Sequence, residues 1–205
     1  MTIKVAVLAS GRGSDFQSII DGIGRGEVDA KIVLLISDNP KAGAIERAEK
    51  NKIPHELILP SNYKDRLEHD RAIKKALDEA KVDLVVLAGY MRIIRDTGFL
   101  KAYLSKIINI HPSLLPAFPG AHAQKDAFEH GAKVSGYTIH FVDDGLDSGP
   151  IIYQEAVDIS NCKSADEVAE RILEHEHIGL PKVVDSFSKG RYVIAKKMVE
   201  YKQGR

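Results

Sequence analysis

An amide and an imidazole lie two residues apart at the end of an apolar run, at Asn109 and His111. Side chains two apart on a β-strand point to the same face, so these two should project side by side while Ile110 turns into the core. Pro112 holds His111 in extended geometry and cannot continue a central strand. The pair is therefore expected where a strand leaves its sheet, which is where open α/β sheets bind ligands.

This pair of side chains suits acyl transfer. The amide can donate to an oxygen that becomes negative in a tetrahedral intermediate, and the imidazole can move protons near neutral pH. Asp147 follows in an acidic, glycine-rich turn that can approach His111, and a carboxylate beside an imidazole favours its protonated form. The competing interpretations are a polar pair that only ends a strand, and a solvated Asp-Gly turn.

A glycine-rich turn follows the first predicted strand, over Ser10 to Asp15. Backbone N–H groups at a strand-to-helix turn form an anion site, where Gly13 permits close approach and Ser14 adds a hydroxyl. A dinucleotide fingerprint needs a third glycine, but that position is Phe16, and no Gly-Lys-Ser/Thr of a P-loop follows. The turn is predicted to hold a single phosphate, and a tight turn without a ligand is the alternative.

An alternation of strands and helices is needed to position these motifs. Apolar, β-branched runs predict buried strands, and helical periodicity separates them. The predicted strands are 3–9, 31–37, 54–59 and 84–88, and the predicted helices are 16–23, 42–51 and 63–80 with a short one before the strand of Asn109. The predicted fold is α/β, a mostly parallel twisted sheet of Rossmann-like type with helices on both faces.

The C-terminal half has a different pattern. Predicted strands at 136–142 and 151–159 are separated only by the acidic loop, so they should be antiparallel neighbours. A capping box over Ser164 to Glu167 opens a helix that runs to about Lys189, and Pro181 should kink or divide it. Antiparallel strands are thus expected near the C-terminal end of the sheet.

Length and composition limit the class of protein. The chain has 205 residues, 29 basic and 29 acidic side chains, and one cysteine. These values favour one large domain without a broad nucleic-acid surface, a disulfide framework or a Cys-rich zinc site. No apolar run approaches a membrane span, and no leader precedes the first strand. We therefore expect a cytoplasmic protein without membrane or nucleic-acid partners.

Five segments share the patterns of one enzyme family. They are Gly11–Ser14, Leu87–Ile94, Asn109–Pro116, Phe118–His122 and Leu146–Pro150. They occur in the family's order across nearly the whole chain, and Asn-x-His-Pro-Ser-Leu-Leu-Pro with a later Asp-x-Gly-Pro is highly specific. On these residues the chain resembles the folate-dependent formyltransferases, and its length and Pro-Gly-x-His continuation favour the phosphoribosylglycinamide formyltransferase branch.

The resemblance implies transfer of the formyl group from 10-formyltetrahydrofolate to the amine of glycinamide ribonucleotide, a step of purine biosynthesis, without a metal. It implies one formyltransferase domain over residues 1–205, with a phosphate-binding N-terminal lobe at 1–100 and a catalytic, folate-binding C-terminal lobe at 101–205. The partners would be the two small-molecule substrates, and the protein would be a monomer or a homodimer.

Specific roles also follow from the resemblance. Asn109, His111 and Asp147 match a catalytic trio that stabilises the oxyanion, shuttles the proton and supports the imidazolium. Leu115–Pro116 matches a peptide bond expected to be cis. The positions that match folate contacts are Arg66, Met91, Arg92, Ile93, Ile94, Asn109, Asp143 and Asp144.

The segment Gly13, Ser14 and Asp15 matches the family's site for the substrate phosphate, and Glu176 matches an acid that contacts the glycinamide. Two positions depart from the family pattern. Asp15 stands where the family usually has Asn, and Leu173 stands where a polar residue often helps hold the phosphate. Backbone N–H groups could bind the anion without either side chain.

Three alternatives remain open from the sequence. A sister formyltransferase acting on formylmethionyl-tRNA precursors or amino sugars usually carries an extra domain. A formyltetrahydrofolate hydrolase usually has an N-terminal regulatory domain, whereas the catalytic fold here is expected to begin at residue 3. A non-catalytic nucleotide-binding or sensor protein would not need the intact Asn109, His111 and Asp147.

Overall fold

A seven-stranded sheet forms the centre of the computed structural model, which describes residues 2–204. Its strands are β1 (Ile3–Leu8), β2 (Ala30–Ser37), β3 (His55–Leu57), β4 (Leu84–Leu87), β5 (Ile107–His111), β6 (Val134–Phe141) and β7 (Ile151–Asp158). Their order is β3-β2-β1-β4-β5-β6-β7, in which β1 to β5 are parallel and β6 and β7 each run antiparallel to the strand before them. The predicted fold class is confirmed.

Helices cover both faces of this sheet. They are α1 (Ser14–Gly24), α2 (Gly43–Lys50), α3 (Arg66–Ala80), α4 (Thr97–Ala102), α5 (Ala123–Glu129) and α6 (Ala165–Lys189). Successive strand residues face opposite sides, so Val5 joins the core that contains Phe16 of α1, and Ala6 joins the core that contains Leu77 of α3. Within residues 2–204, no helix is both long and apolar enough to cross a membrane.

Local caps determine where the helices begin. The helix predicted from residue 63 starts at Arg66, because the side chain of Asp65 accepts a hydrogen bond from the N–H of Glu68 at 2.9 Å. Ser164 caps α6 as predicted. α6 then continues through Pro181 and is not divided there, since its buried face outweighs the loss of one backbone hydrogen bond.

The sequence patterns do not predict two elements of the C-terminal half. One is α5, whose buried positions Ala123 and Ala127 are too small to give a clear helical periodicity. The other is a separate hairpin of β8 (Gly190–Ala195) and β9 (Met198–Gln203). The ring of Tyr192 in this hairpin packs against Phe141, with 6.0 Å between the ring centroids. This contact joins the hairpin to the end of β6.

The strand order reverses between β1 and β4. From β1 the chain moves outward through β2 and β3, then returns to β4 on the other side of β1. The N–H of Ser10 donates to the carbonyl of Gly89 at 3.1 Å and joins the turns that follow these two strands. The carboxyl ends of β1, β4 and β5 therefore open onto one crevice, the usual ligand site of such sheets.

Gly179 of α6 packs against Tyr137, a fully buried tyrosine of β6. A Cβ at position 179 would lie 1.7 Å from the Tyr137 hydroxyl oxygen, which donates to Glu155 at 2.8 Å. Gly179→Ala should therefore lower the free energy of unfolding by about 1–2 kcal/mol, because overpacking exceeds the gain in helix propensity. Urea denaturation followed by circular dichroism measures this change.

Gly24→Ala at the end of α1 is the matched control, because its new Cβ would meet no atom of residues 2–204 within 4 Å. It should leave stability unchanged or raise it slightly. Equal losses at both positions would contradict the packing explanation.

Candidate active site

β5 ends in Asn109 and His111, which lie on the same face of the strand and line one cavity. The alternate residues Ile108 and Ile110 belong to an apolar core, as the period of a strand requires. His111 is only 5% exposed. Across the neighbouring strand β6, Asn109 pairs with His140. The apolar face of β5 therefore fixes the direction in which its two polar side chains point.

Each ring nitrogen of His111 faces an oxygen atom of a neighbouring residue. Nε2 lies 2.9 Å from the carbonyl oxygen of Phe118, and because a carbonyl only accepts, Nε2 carries a proton. Nδ1 lies 3.5 Å from Oδ2 of Asp147, and the N–H of Gly120 fixes that oxygen with a 2.8 Å hydrogen bond. In the neutral ring Nδ1 is therefore the basic nitrogen.

His140 is a further member of this cluster, and no local sequence motif marks it. Its Nδ1 lies 2.8 Å from the carbonyl oxygen of Phe141, so that nitrogen carries the proton and Nε2 accepts from Nδ2 of Asn109 at 3.2 Å. Burial lowers the pKa of His140, which keeps the ring neutral near neutral pH. The Asn109 amide thus has one N–H engaged and a second one available to a ligand.

The cis peptide bond expected between Leu115 and Pro116 is present. Next to it, the N–H of Leu115 donates to the hydroxyl of Thr138 at 3.0 Å, and that hydroxyl donates to the carbonyl of Ser113 at 2.6 Å. Thr138 is fully buried and lies opposite His111 in β6. These bonds fix the path of the chain immediately after the catalytic histidine candidate.

The turn after β1 leads directly into α1. Gly13 is the N-cap with φ +71°, and a Cβ there would lie 2.8 Å from the Cα of Ala44, so only glycine fits. The N–H of Gln17 donates to the carbonyl of Gly13 at 3.0 Å. The N–H groups of Ser14 and Asp15 precede that bond and have no acceptor within the helix. Together with the helix dipole, they make this end of α1 suited to an anion.

Two acidic side chains border the N-terminal end of α1. Asp15 and Glu176 of α6 both line the cavity, and Glu176 is 5% exposed. Burial raises the pKa of Asp15 to about 6, although the Arg12 guanidinium partly opposes the shift. Burial also raises the pKa of Glu176 well above its ordinary value, and the neighbouring Asp15 adds to this shift. The site therefore retains protons that exposed carboxyl groups would have lost.

One cavity of about 630 Å³ brings most of the expected positions together. Its volume is that of a small-molecule site. The expected residues that line it are Gly13, Ser14, Asp15, Met91, Arg92, Ile93, Ile94, Asn109, His111, Asp143, Asp147 and Glu176, and the departing position Leu173 lines it as well.

Arg66 and Asp144 are not among the residues that line this cavity. Arg66 is an exposed residue in the first turn of α3, and Asp144 is exposed within the acidic loop. Conversely, the lining includes positions to which the sequence analysis gives no separate role. They include Ser10, Tyr90, Gly120, Gln124, His140 and Val142. Their contribution depends on long-range contacts, which local sequence patterns do not carry.

The wall formed by residues 91–94 is fixed at both ends. The hydroxyl of Ser10 accepts the N–H of Met91 at 3.0 Å, and the buried carboxylate of Asp70 accepts the N–H of Arg95 at 2.6 Å. Within the wall, Nε of Arg92 donates to Asp38 at 2.5 Å. This wall therefore keeps its shape through contacts with the turn after β1 and with α3.

Residues 3–184 match the family described as Formyl transferase. The chain belongs to the formyl transferase family. A phosphoribosylglycinamide formyltransferase from Bacillus subtilis is 46% identical over 181 residues, which cover 88% of this chain and 92% of the relative. The crystal structure of glycinamide ribonucleotide transformylase 1 from Symbiobacterium toebii has a TM-score of 0.94 at 42% identity, covering 98% of this chain and 94% of that one.

A longer relative also contains this formyl transferase region. The trifunctional purine biosynthetic protein adenosine-3 of Gallus gallus is 39% identical over 188 residues, which cover 92% of this chain but 19% of that protein. Every residue that lines the cavity lies within the matched range 3–184, and the β8–β9 hairpin follows it. The family resemblance seen in the sequence is confirmed.

Asp15→Asn should stabilise the unliganded formyl transferase at alkaline pH. The folded-state pKa of Asp15 is raised from 3.8 to about 6, so ionising this carboxyl costs stability as pH rises through that window. At pH 8 the variant should exceed the parent by about 2–3 kcal/mol in the free energy of unfolding, and its advantage should be about 1 kcal/mol smaller at pH 5. Urea denaturation at the two pH values measures both differences.

Asp21→Asn removes an exposed carboxyl from the same helix and serves as the control. It should change stability by less than about 0.5 kcal/mol at either pH. If Asp15→Asn behaves like this control, the carboxyl of Asp15 is not destabilised by burial.

Proposed function

We propose that this formyl transferase is a phosphoribosylglycinamide formyltransferase. It would transfer the formyl group of 10-formyltetrahydrofolate to the amine of 5'-phosphoribosylglycinamide, giving formylglycinamide ribonucleotide and tetrahydrofolate. The observation that carries the proposal is the cavity itself, in which an anion-binding helix end at Ser14 lies together with Asn109, His111 and Asp147. The names of the relatives from Bacillus subtilis and Symbiobacterium toebii support this choice of substrate.

The reaction proposed is direct transfer through a tetrahedral intermediate. The substrate amine attacks the formyl carbon, a C–N bond forms, and the carbonyl oxygen becomes an oxyanion that the available N–H of Asn109 can stabilise. The attacking nitrogen must lose a proton and N10 of the folate must gain one. Nδ1 of His111 is suited to carry that proton, because it is the unprotonated ring nitrogen and lies 3.5 Å from Oδ2 of Asp147. The C–N10 bond then breaks and releases tetrahydrofolate.

The two substrates are proposed to meet at the end of β5. Gly13, Ser14 and Asp15 would hold the phosphate, with Glu176 on the glycinamide. The folate would lie against residues 91–94, Asn109 and Asp143. Since Arg66 and Asp144 are exposed and outside the cavity lining, any folate contact they make would be with a part that extends from the cavity.

The proposal includes the domain organisation predicted from the sequence. Residues 1–205 would act as one formyltransferase domain, with the phosphate-binding lobe at 1–100 and the catalytic, folate-binding lobe at 101–205. The pairing of β4 with β5 joins the two lobes in one sheet, and both contribute to the cavity. We further propose that the protein acts in the cytoplasm as a monomer or homodimer, with small molecules as its partners.

A steady-state assay with 10-formyltetrahydrofolate tests the proposed reaction. Release of tetrahydrofolate should depend on glycinamide ribonucleotide, because the amine is the nucleophile. Release without the ribonucleotide would indicate a hydrolase. No release under either condition would reject both reactions.

Replacement of the proposed proton carrier or its partner should abolish most turnover. We expect His111→Ala and Asp147→Asn to lower kcat by about 10²- to 10⁴-fold, the range for positioned acid–base groups. Binding of the folate, measured by calorimetry, should change much less, because these side chains act mainly on the moving proton. Near-parental turnover of either variant would refute the proposed proton path.

Two variants outside the cavity serve as matched controls. His55→Ala removes an exposed imidazole from β3, and Asp166→Asn removes an exposed carboxyl from the first turn of α6. Neither residue lines the cavity, so both variants should keep the parental kcat. Losses in these controls would mean that the assay reports general destabilisation.

A further inference from the structure

Asp15 lies where the substrate phosphate is proposed to bind, and the carboxyl group of Glu176 lies beside it. The side chain of Asp15 is 13% exposed, and Glu176 is 5% exposed. Both line the same cavity as Gly13 and Ser14. Two ionised carboxylates beside a phosphate dianion would repel it strongly in this partly desolvated place. The protonation state of the acids must therefore be part of how the anion binds.

Asp15 has an oxygen that lacks a hydrogen-bond partner. Its Oδ1 is buried and has no partner among residues 2–204, and Nε2 of His177 at 3.9 Å is too distant for a hydrogen bond. That nitrogen is likewise buried and unpartnered. Buried polar atoms of this kind are costly unless a ligand or water pairs with them. An ionised carboxylate could not pair with a phosphate oxygen, because both only accept, whereas a protonated carboxyl can donate.

The surroundings of Asp15 do not supply a full compensating charge. The charged or titratable groups that face Asp15 or His177 are Arg12 on the preceding turn, Asp21 on α1, Arg47 on α2, and Glu176 and His177 on α6. Burial lowers the pKa of His177, and the nearby Arg47 adds to that effect, so this ring stays neutral near neutral pH. Nε of Arg47 donates to the backbone carbonyl of Arg12 at 2.9 Å. Among residues 2–204, the Arg12 guanidinium is the group that lowers the pKa of Asp15, and its effect is smaller than the increase caused by burial.

We propose that Asp15 and the substrate phosphate share one proton, so that the ribonucleotide binds with uptake of a proton by this part of the site. The proposal rests on the function proposed above. The proton comes from solvent, lies between a carboxyl oxygen of Asp15 and a phosphate oxygen, and returns to solvent when the phosphate leaves. No covalent bond between heavy atoms changes. Affinity for the ribonucleotide should then fall about tenfold per pH unit once both groups are ionised in the free state.

Calorimetry of ribonucleotide binding measures this proton directly. Titrations at pH 8 in two buffers of different ionisation enthalpy give the number of protons taken up on binding. We expect the parent to take up about one proton more than Asp15→Asn, whose amide is isosteric, neutral and already a donor. Changes in the substrate's own amine contribute to both proteins and cancel in the difference. The dissociation constant of the parent should rise about tenfold from pH 7 to pH 8. The ratio of the parent's dissociation constant to that of the variant should therefore also rise about tenfold over this range.

Two further variants test whether the extra proton is bound by Asp15 or by another carboxyl group. Asp21→Asn on the exposed side of α1 should keep the parental proton count. Glu176→Gln should also keep the extra proton, because the proposal places it on Asp15. If the extra proton disappears in Glu176→Gln and remains in Asp15→Asn, the assignment to Asp15 is wrong.

The outcomes separate this inference from the proposed function. Equal proton counts in the parent and Asp15→Asn, with the ribonucleotide bound to both, would overturn the shared proton and leave the transferase intact. Failure of both proteins to bind the ribonucleotide, together with no ribonucleotide-dependent turnover, would overturn the proposed function and this inference with it.

Discussion

The carboxylate of Asp147 joins three segments that are separate in the sequence. Its Oδ2 lies 3.5 Å from Nδ1 of His111, and its Oδ1 lies 3.9 Å from Nε2 of His140. Oδ2 also accepts a hydrogen bond from the N–H of Gly120 at 2.8 Å. A carboxylate whose side chain is 12% exposed needs such partners to replace the water it has lost. The acidic loop, the ends of β5 and β6, and the turn after Pro116 are therefore held in one arrangement. The geometry of the site depends on this contact.

Helix α6 links the apolar core to the polar end of the cavity. Val168 and Ile172 are fully buried, and Leu173 and Glu176, which follow them on the same helix, reach the cavity lining. A helix of 25 residues with a long buried face cannot move without exposing that face. Glu176 is thus placed by apolar packing of the helix that carries it, and that packing leaves this residue 5% exposed.

Local patterns predict more of this protein than contacts between distant segments do. The strands and the shared face of Asn109 and His111 could be predicted, because a buried strand needs a continuous apolar run and a fixed period of two. The partnership of Asn109 with His140 could not, since it depends on the register between β5 and β6. The closeness of Asp15 and Glu176 was equally hidden, because it depends on where α6 crosses α1.

The hydrogen bond between Asn109 and His140 also fixes the orientation of the Asn109 side-chain amide, whose oxygen and nitrogen could otherwise exchange places. The neutral His140 ring accepts at Nε2, so the NH₂ group of Asn109 faces it. One hydrogen of that NH₂ group is bonded to His140, and the other remains available to a ligand. A protonated ring would donate from the same atom, and the amide would have to rotate by half a turn to offer its oxygen. Because burial lowers the pKa of His140, this reversal belongs to acidic conditions. An acid limit on activity can therefore originate in a ring to which the proposed mechanism gives no proton.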